Sequence, residues 1–269
     1  MITLLISLLI SSPGTLQKDG GLPPMLLNPD TVVAQTSDGL PGDLGNVLDN
    51  VTSLPGAVFG VGVVELSSGE RITRNERRRF YIDTPDIVAA AYSISRHNSG
   101  EFRLDSLVAR DMQLWMMLKL GQQGNREKLV ASIYHCGDFQ PLQEWLSIEY
   151  PNTEFNGVAR NWEGAPEFST NYTNVSDCLD FIEIVSNSLD VAAVRRMSSN
   201  PPLSGELEIA LGSSNVVYGW ISGREDTRCI NLIVSKSDGS KYGITVLTNG
   251  LCCAAKADLG FSMIWDALK

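Results

Sequence analysis

Metal-binding and redox residues are sparse. The chain has two histidines, at 97 and 135, and five cysteines at 136, 178, 229, 252 and 253, none in a C-x-x-C pair. A structural zinc site needs four ligands at close spacing, and an odd, scattered cysteine set does not build a disulfide framework. Positive charge is also short: 21 Lys and Arg stand against 31 Asp and Glu, a net charge of −10 over 269 residues. Nucleic-acid binding draws on clustered cations that release counterions, so no nucleic-acid partner is expected, and Arg77-Arg78-Arg79 reads as a solvated turn. No apolar run spans a bilayer: Thr3–Ile10 stops at Ser11-Ser12-Pro13-Gly14, where about 20 residues would be needed. Gly60-x-Gly62 lies inside a strand pattern and not in a turn before a helix, so it is no dinucleotide fingerprint. Neither a cofactor nor a metal is expected.

With 43% hydrophobic and 19% charged residues, the chain can bury a core. Its start is open to two readings. Thr3–Ile10 resembles a signal-peptide core without a preceding cation, which would imply export. Alternatively, residues 11–56, broken by Pro23-Pro24, Asn28-Pro29 and Leu40-Pro41-Gly42, form an arm outside the compact domain. That arm carries Leu22, Met25, Leu26, Leu27, Val32 and Val33, more apolar side chains than a spacer needs. It is expected to contact a protein partner or a second copy. Asn50-Val51-Thr52, Asn171-Tyr172-Thr173 and Asn174-Val175-Ser176 are glycosylation sequons, meaningful only on a eukaryotic secretory route.

The compact domain is placed at 57–269. Ala57–Leu66 and Glu70–Asn75 read as strands around the turn Ser67-Ser68-Gly69. Residues 85–195 are mostly helical, and Trp115-Met116-Met117 reads as helix core. Strands return at 215–222, 229–235 and 241–248, the last two flanking Asp238-Gly239, a hairpin signal. Leu44, Val47, Leu48 and Val51 recur at helical spacing in 43–53, and 254–269 closes the chain as a helix with Leu259, Met263, Ile264 and Leu268 on one face. Strands, a helical insertion, strands and a final helix give an α+β fold: one antiparallel five-stranded sheet flanked by helices, with an inserted helical lobe.

The stretch RRFYIDTPDIVAAAYSISRHNSGEFRLDSL from Arg78 to Leu107 resembles the nucleophile helix of class A β-lactamases and the transpeptidase-like serine hydrolases, and the element order from about residue 45 onward is similar too. The resemblance implies three motifs. S-x-x-K at a helix start falls on Thr84-Pro85-Asp86-Ile87, with Thr84 for the serine and Ile87 for the lysine. S-D-N, on a loop between helices, is placed at Cys136-Gly137-Asp138. K-T-G is placed at Ile221-Ser222-Gly223, with Gly219-Trp220-Ile221 as the alternative register. Arg160–Glu167 loosely resembles the loop that carries the deacylating acid, with Glu163 or Glu167 as the match. Trp162, Tyr218 and Trp220 could line a remaining pocket.

Isoleucine holds no proton, and both lysines and the serine are missing at these positions. The implied reading is a catalytically inactive, penicillin-binding-protein-like domain used for binding or as a structural subunit. The alternative is a divergent hydrolase acting on amides or esters, with Thr84, or Cys136 with His135, as nucleophile. On the plain residue reading, Thr84 caps the helix that starts at Pro85, Asp86 complements its dipole, Asp138 caps the next helix and Cys136 is a buried thiol.

Overall fold

Ala57–Glu65 (β1) is rich in β-branched and aromatic residues, and Asp238-Gly239 sits between two further runs of the same kind. Such residues favour a pleated, half-buried surface. In the computed structural model, which describes residues 39–109, 111–160, 166–168, 171–213, 215–224 and 226–269, these runs form one sheet.

The elements follow in chain order. Helix α1 (Leu44–Thr52) precedes β1, β2 (Arg71–Arg74) and β3 (Phe80–Ile82). The lobe then runs through α2 (Asp86–Asn98), β4 (Leu107–Ala109), β5 (Met112–Gln113), α3 (Leu114–Gln122), α4 (Arg126–His135) and α5 (Phe139–Glu149). It continues with β6 (Val158–Arg160), β7 (Pro166–Phe168), β8 (Asn171–Thr173), α6 (Val175–Ser186), α7 (Ala192–Ser198) and α8 (Gly205–Leu211). Strands β9 (Val216–Arg224), β10 (Thr227–Ser235) and β11 (Lys241–Gly250) and helix α9 (Cys253–Leu268) close the chain.

The sheet order is β2-β1-β11-β10-β9. Every neighbouring pair is antiparallel, and β1 meets β11 from Ala57↔Gly250 to Glu65↔Tyr242. This is the expected five-stranded α+β architecture. Short pairs in the lobe, β3 with β8, β4 with β5 and β6 with β7, were not anticipated, because three-residue strands carry too little alternation to read. Helix α8 was missed as well, although Ser204 caps it by accepting from the Leu207 N–H.

The period of two along each strand divides the core. Phe59, Val61 and Val63 of β1 and Ile230, Leu232 and Val234 of β10 pack with α1, α8 and α9. Trp220, Cys229, Ile233 and Leu247 face α2 and α6 on the other side. Gly60 and Gly62 now have a reason. A Cβ on Gly60 would lie 2.4 Å from the Phe80 ring, and one on Gly62 would lie 2.6 Å from a Val175 methyl. Alternate glycines thus let β3 and α6 rest directly on β1.

Two sequence expectations are corrected. The arm was set at 11–56, yet Leu44, Leu48 and Val51 of α1 are fully buried in the core beneath α9. The described residues from 39 onward belong to one compact unit, so the boundary at 56 is too late. Helix α1 at 44–52 and α9 at 253–268 do share one face of the sheet, as their patterns implied. The sequons at Asn171 and Asn174 are buried, and the Asn174 side chain caps α6 by accepting from the Asp177 N–H at 2.7 Å. Residues 1–38, including Thr3–Ile10, lie outside the described residues. Among those described, no helix is long and apolar enough to cross a membrane.

Gly60→Ala tests the close approach. The added methyl displaces Phe80 or Val175, and overpacking of this kind costs about 2 kcal/mol. A urea denaturation midpoint lowered accordingly, with an unchanged slope, is expected.

Candidate functional site

Helix α2 is buried along its first nine residues, from Asp86 to Ile94. Ala89, Ala90 and Ala91 are small enough for it to run between α6 and the rest of the lobe. Its N-terminus therefore comes to a fixed place beside β9, the edge strand. There a cleft of about 270 Å³ opens. Asp83, Thr84 and Asp86 line it from the start of α2, Ile221, Ser222 and Gly223 from β9, and Arg228 from β10. The remaining wall comes from residues 121–124, Arg126 and Pro202.

Most of the positions inferred for the first and third motifs thus meet in one cavity. Thr84, Ser222 and Gly223 line it, and Ile221 borders it while packing into the cluster on the α9 side of the sheet. Ile87 does not reach it; its side chain is buried in the apolar core of the lobe. In the alternative register, Trp220 is core as well. Tyr218 is half-buried against that core and is not part of the cleft wall.

The stretch expected to carry the second motif lies away from the cleft. Cys136-Gly137-Asp138 joins α4 to α5 and does not line the cleft. The turn that does is the preceding junction, where α3 ends at Gln122 and Asn125 caps α4 by accepting from the Lys128 N–H at 3.1 Å. Gly124-Asn125 ahead of R-E-K-L was a readable helix start. Asp138 does cap α5, accepting from the Phe139 N–H at 2.6 Å. Cys136 is a buried thiol whose sulfur lies 3.3 Å from the Ser93 hydroxyl, and burial pushes its pKa up to about 11. His135 is exposed, its ring set edge-on to Phe102, and no hydrogen bond joins it to Cys136 among the described residues. Trp162 and Glu163 lie outside the described residues, as does the side chain of Glu167.

The expected Thr84 cap is absent. The helix begins one residue later than predicted, with Pro85 at the cap position, and Pro85 offers no side-chain acceptor. The Ile87 N–H is taken at 2.9 Å by Asp86 Oδ1. Thr84 makes no hydrogen bond among the described residues.

Asp86 is the unusual group here. It is 3% exposed, and besides the Ile87 N–H its partner is the Ser222 hydroxyl at 3.4 Å. Removal from water disfavours the carboxylate. That effect outweighs these hydrogen bonds and one from Asp86's own backbone N–H, and raises the Asp86 pKa to about 7. The cleft's other charges are paired. Arg126 donates to Asp83 at 2.6 Å, and Arg228 lies 3.5 Å from Asp258 of α9. Gln122, buried beneath the cleft, donates to the carbonyls of Ser198 and Gly219 and ties α3 to β9. None of these partners was anticipated, because each joins residues far apart in sequence. Among the described residues no cluster of three His, Cys, Asp or Glu could hold a metal ion.

No family model and no curated protein matches the chain. Solved structures do. A β-lactamase from Xanthomonas campestris pv. campestris is 17% identical, with a TM-score of 0.62 over 84% of this chain and 96% of that one. The structure of PBP-A gives 13% identity and a TM-score of 0.67 over 84% and 94%. An ancestral class A β-lactamase gives 17% and 0.65 over 84% and 98%. The fold is thus that of class A β-lactamases and PBP-A.

Asp86 predicts a pH dependence. An unfolded aspartate titrates near pH 4, so between there and pH 7 the folded chain holds a proton that the unfolded chain has released. The contribution of Asp86 to stability is fully present below that window and is lost as the pH rises through about 7. Asp86→Asn removes this loss. Its stability relative to the parent should rise by on the order of 3 kcal/mol from pH 4 to pH 8, as read by denaturation at each pH.

Proposed function

We propose that this is a catalytically inactive β-lactamase-like domain that serves binding or assembly, with the segment ahead of α1 as its docking element. One observation supports this most. Where the resemblance implies ammonium groups beside the nucleophile, the cleft has Ile221 at its border, while Ile87 is buried in the core. Lys119, on α3 close to the cleft, is occupied: its ammonium donates to the Ser199 and Asn200 carbonyls and to Gln122. A hydroxyl nucleophile needs a base within hydrogen-bond reach, and Thr84 has no such partner among the described residues. The thiol alternative fares no better, because a reactive cysteine needs a lowered pKa and that of Cys136 is raised.

Exposure to a fluorescent penicillin and to a chromogenic cephalosporin should give neither covalent label nor turnover above buffer. Labelling that disappears in Thr84→Val would overturn the inactive reading in favour of a hydroxyl enzyme. Labelling that disappears in Cys136→Ala would do so in favour of a thiol enzyme.

The docking role rests on the apolar side chains at 22–33, which an extended segment can lay across a partner or a second copy. Deleting residues 1–38 removes them and spares the described domain. The truncated chain should melt at nearly the same temperature and run as a monomer in light-scattering chromatography, while the full chain associates. Equal association of both would dismiss the docking role.

A further inference from the structure

A second cavity lies in the helical lobe, separate from the cleft and sharing no residue with it. It encloses about 380 Å³ between the end of α2, the turn at 103–105, the start of α3 and the start of α7. Trp115, read from sequence as core, is only half-buried and forms one wall. Leu104 and Val191 give the cavity an apolar floor. Two guanidinium groups border it. Arg196 lies over the Trp115 ring, 5.7 Å from its centroid, and has no carboxylate partner among the described residues. Arg103 is paired with Asp105, two residues away and also on the rim. His97 adds a ring whose Nδ1 is engaged with the Phe102 carbonyl at 3.2 Å, which leaves Nε2 available.

From this geometry we propose that the cavity is a binding site for a small organic carboxylate with an apolar or aromatic body. The balance of fixed charge decides the sign of the ligand: two guanidiniums stand against one carboxylate, in a chain that is acidic overall. The planar fork of a guanidinium matches a carboxylate in bidentate fashion. The indole holds Arg196 by cation–π attraction, with its donors free to face the cavity. The Trp115 N–H is already given to Gln113 at 2.6 Å, so the indole offers the ligand a surface and no hydrogen bond. The volume lies in the range of small-molecule pockets and takes a body of one ring.

Saturation-transfer NMR at neutral pH with benzoate tests the site, with benzamide as the neutral isostere and inorganic phosphate as the anion without a body. Benzoate should give a saturable signal, and benzamide and phosphate should each bind at least about tenfold more weakly. Arg196→Gln should weaken benzoate about tenfold, the scale of one lost charge-assisted hydrogen bond. Trp115→Leu should weaken benzoate and benzamide together. Thr84→Val, in the cleft, should leave benzoate unchanged, which separates this site from the fate of the cleft. Equal binding of benzoate and benzamide, or unchanged affinity in Arg196→Gln, would overturn the proposal. So would loss of binding in Thr84→Val.

Discussion

The antiparallel pairing of β1 with β11 is the contact on which the rest of the structure depends. It joins residues 57–65 to residues 242–250, and the helical lobe is threaded between them. Closing so long a loop costs only slowly more entropy with length, and the continuous ladder with its two buried faces offsets that cost. Until it forms, α1 and α9 have no common surface, and β9, which borders the cleft, has no sheet to be the edge of. Gly60 and Gly62 set the spacing on the lobe side. Because β3 and α6 rest on bare backbone there, α2 is held at a height where its first residue meets Ser222.

What the sequence disclosed, and what it hid, follow from the same distinction. The five long strands and the two flanking helices were legible because each carries a full period of apolar residues and is bounded by turn residues such as Ser67-Ser68-Gly69 and Asp238-Gly239. The meeting of Thr84 with Ser222 was legible through resemblance, which places the helix start beside the edge strand. The second cleft wall was not, because α3 and α4 are separated by a short turn, Gln123-Gly124-Asn125, that keeps only the asparagine of S-D-N. The Thr84 cap failed for a local reason. Pro85 sits outside the helix, and the Asp86 carboxylate reaches its own neighbour's N–H before a residue two positions back can. The ion pairs Arg126–Asp83 and Arg228–Asp258 span sequence distances at which no pattern operates.

Charge in the cleft is arranged to cancel. Each arginine has its own carboxylate, and Asp86, which has no cation partner among the described residues, has its pKa raised to about 7 by burial. This is what a stable fold requires of buried charge: removing one partner of a pair leaves the other uncompensated and costs several kcal/mol. Asp86 stands apart from that arrangement: with its pKa raised to about 7 by burial, it gains or loses a proton near neutral pH.

The stability of the scaffold does not depend on that cleft. Two apolar clusters, one on each face of the sheet, hold the core, and Ile87 and Ile221 belong to one each. Burying an isoleucine in place of an ammonium adds apolar area and removes a desolvation cost, and such exchanges are often neutral or stabilising. On the inactive reading, loss of the chemistry and gain of packing are therefore the same substitutions, since active sites are maintained at the expense of stability. A chain released from catalysis would be expected to drift toward filled, self-compensated sites of this kind while keeping β1 against β11. Asp86 is the exception. A buried carboxyl is a cost that Asn or Ser at the same position would avoid, and its contact with Ser222 across the junction of helix and edge strand is the one polar tie from the α2 start to β9 that the described residues hold.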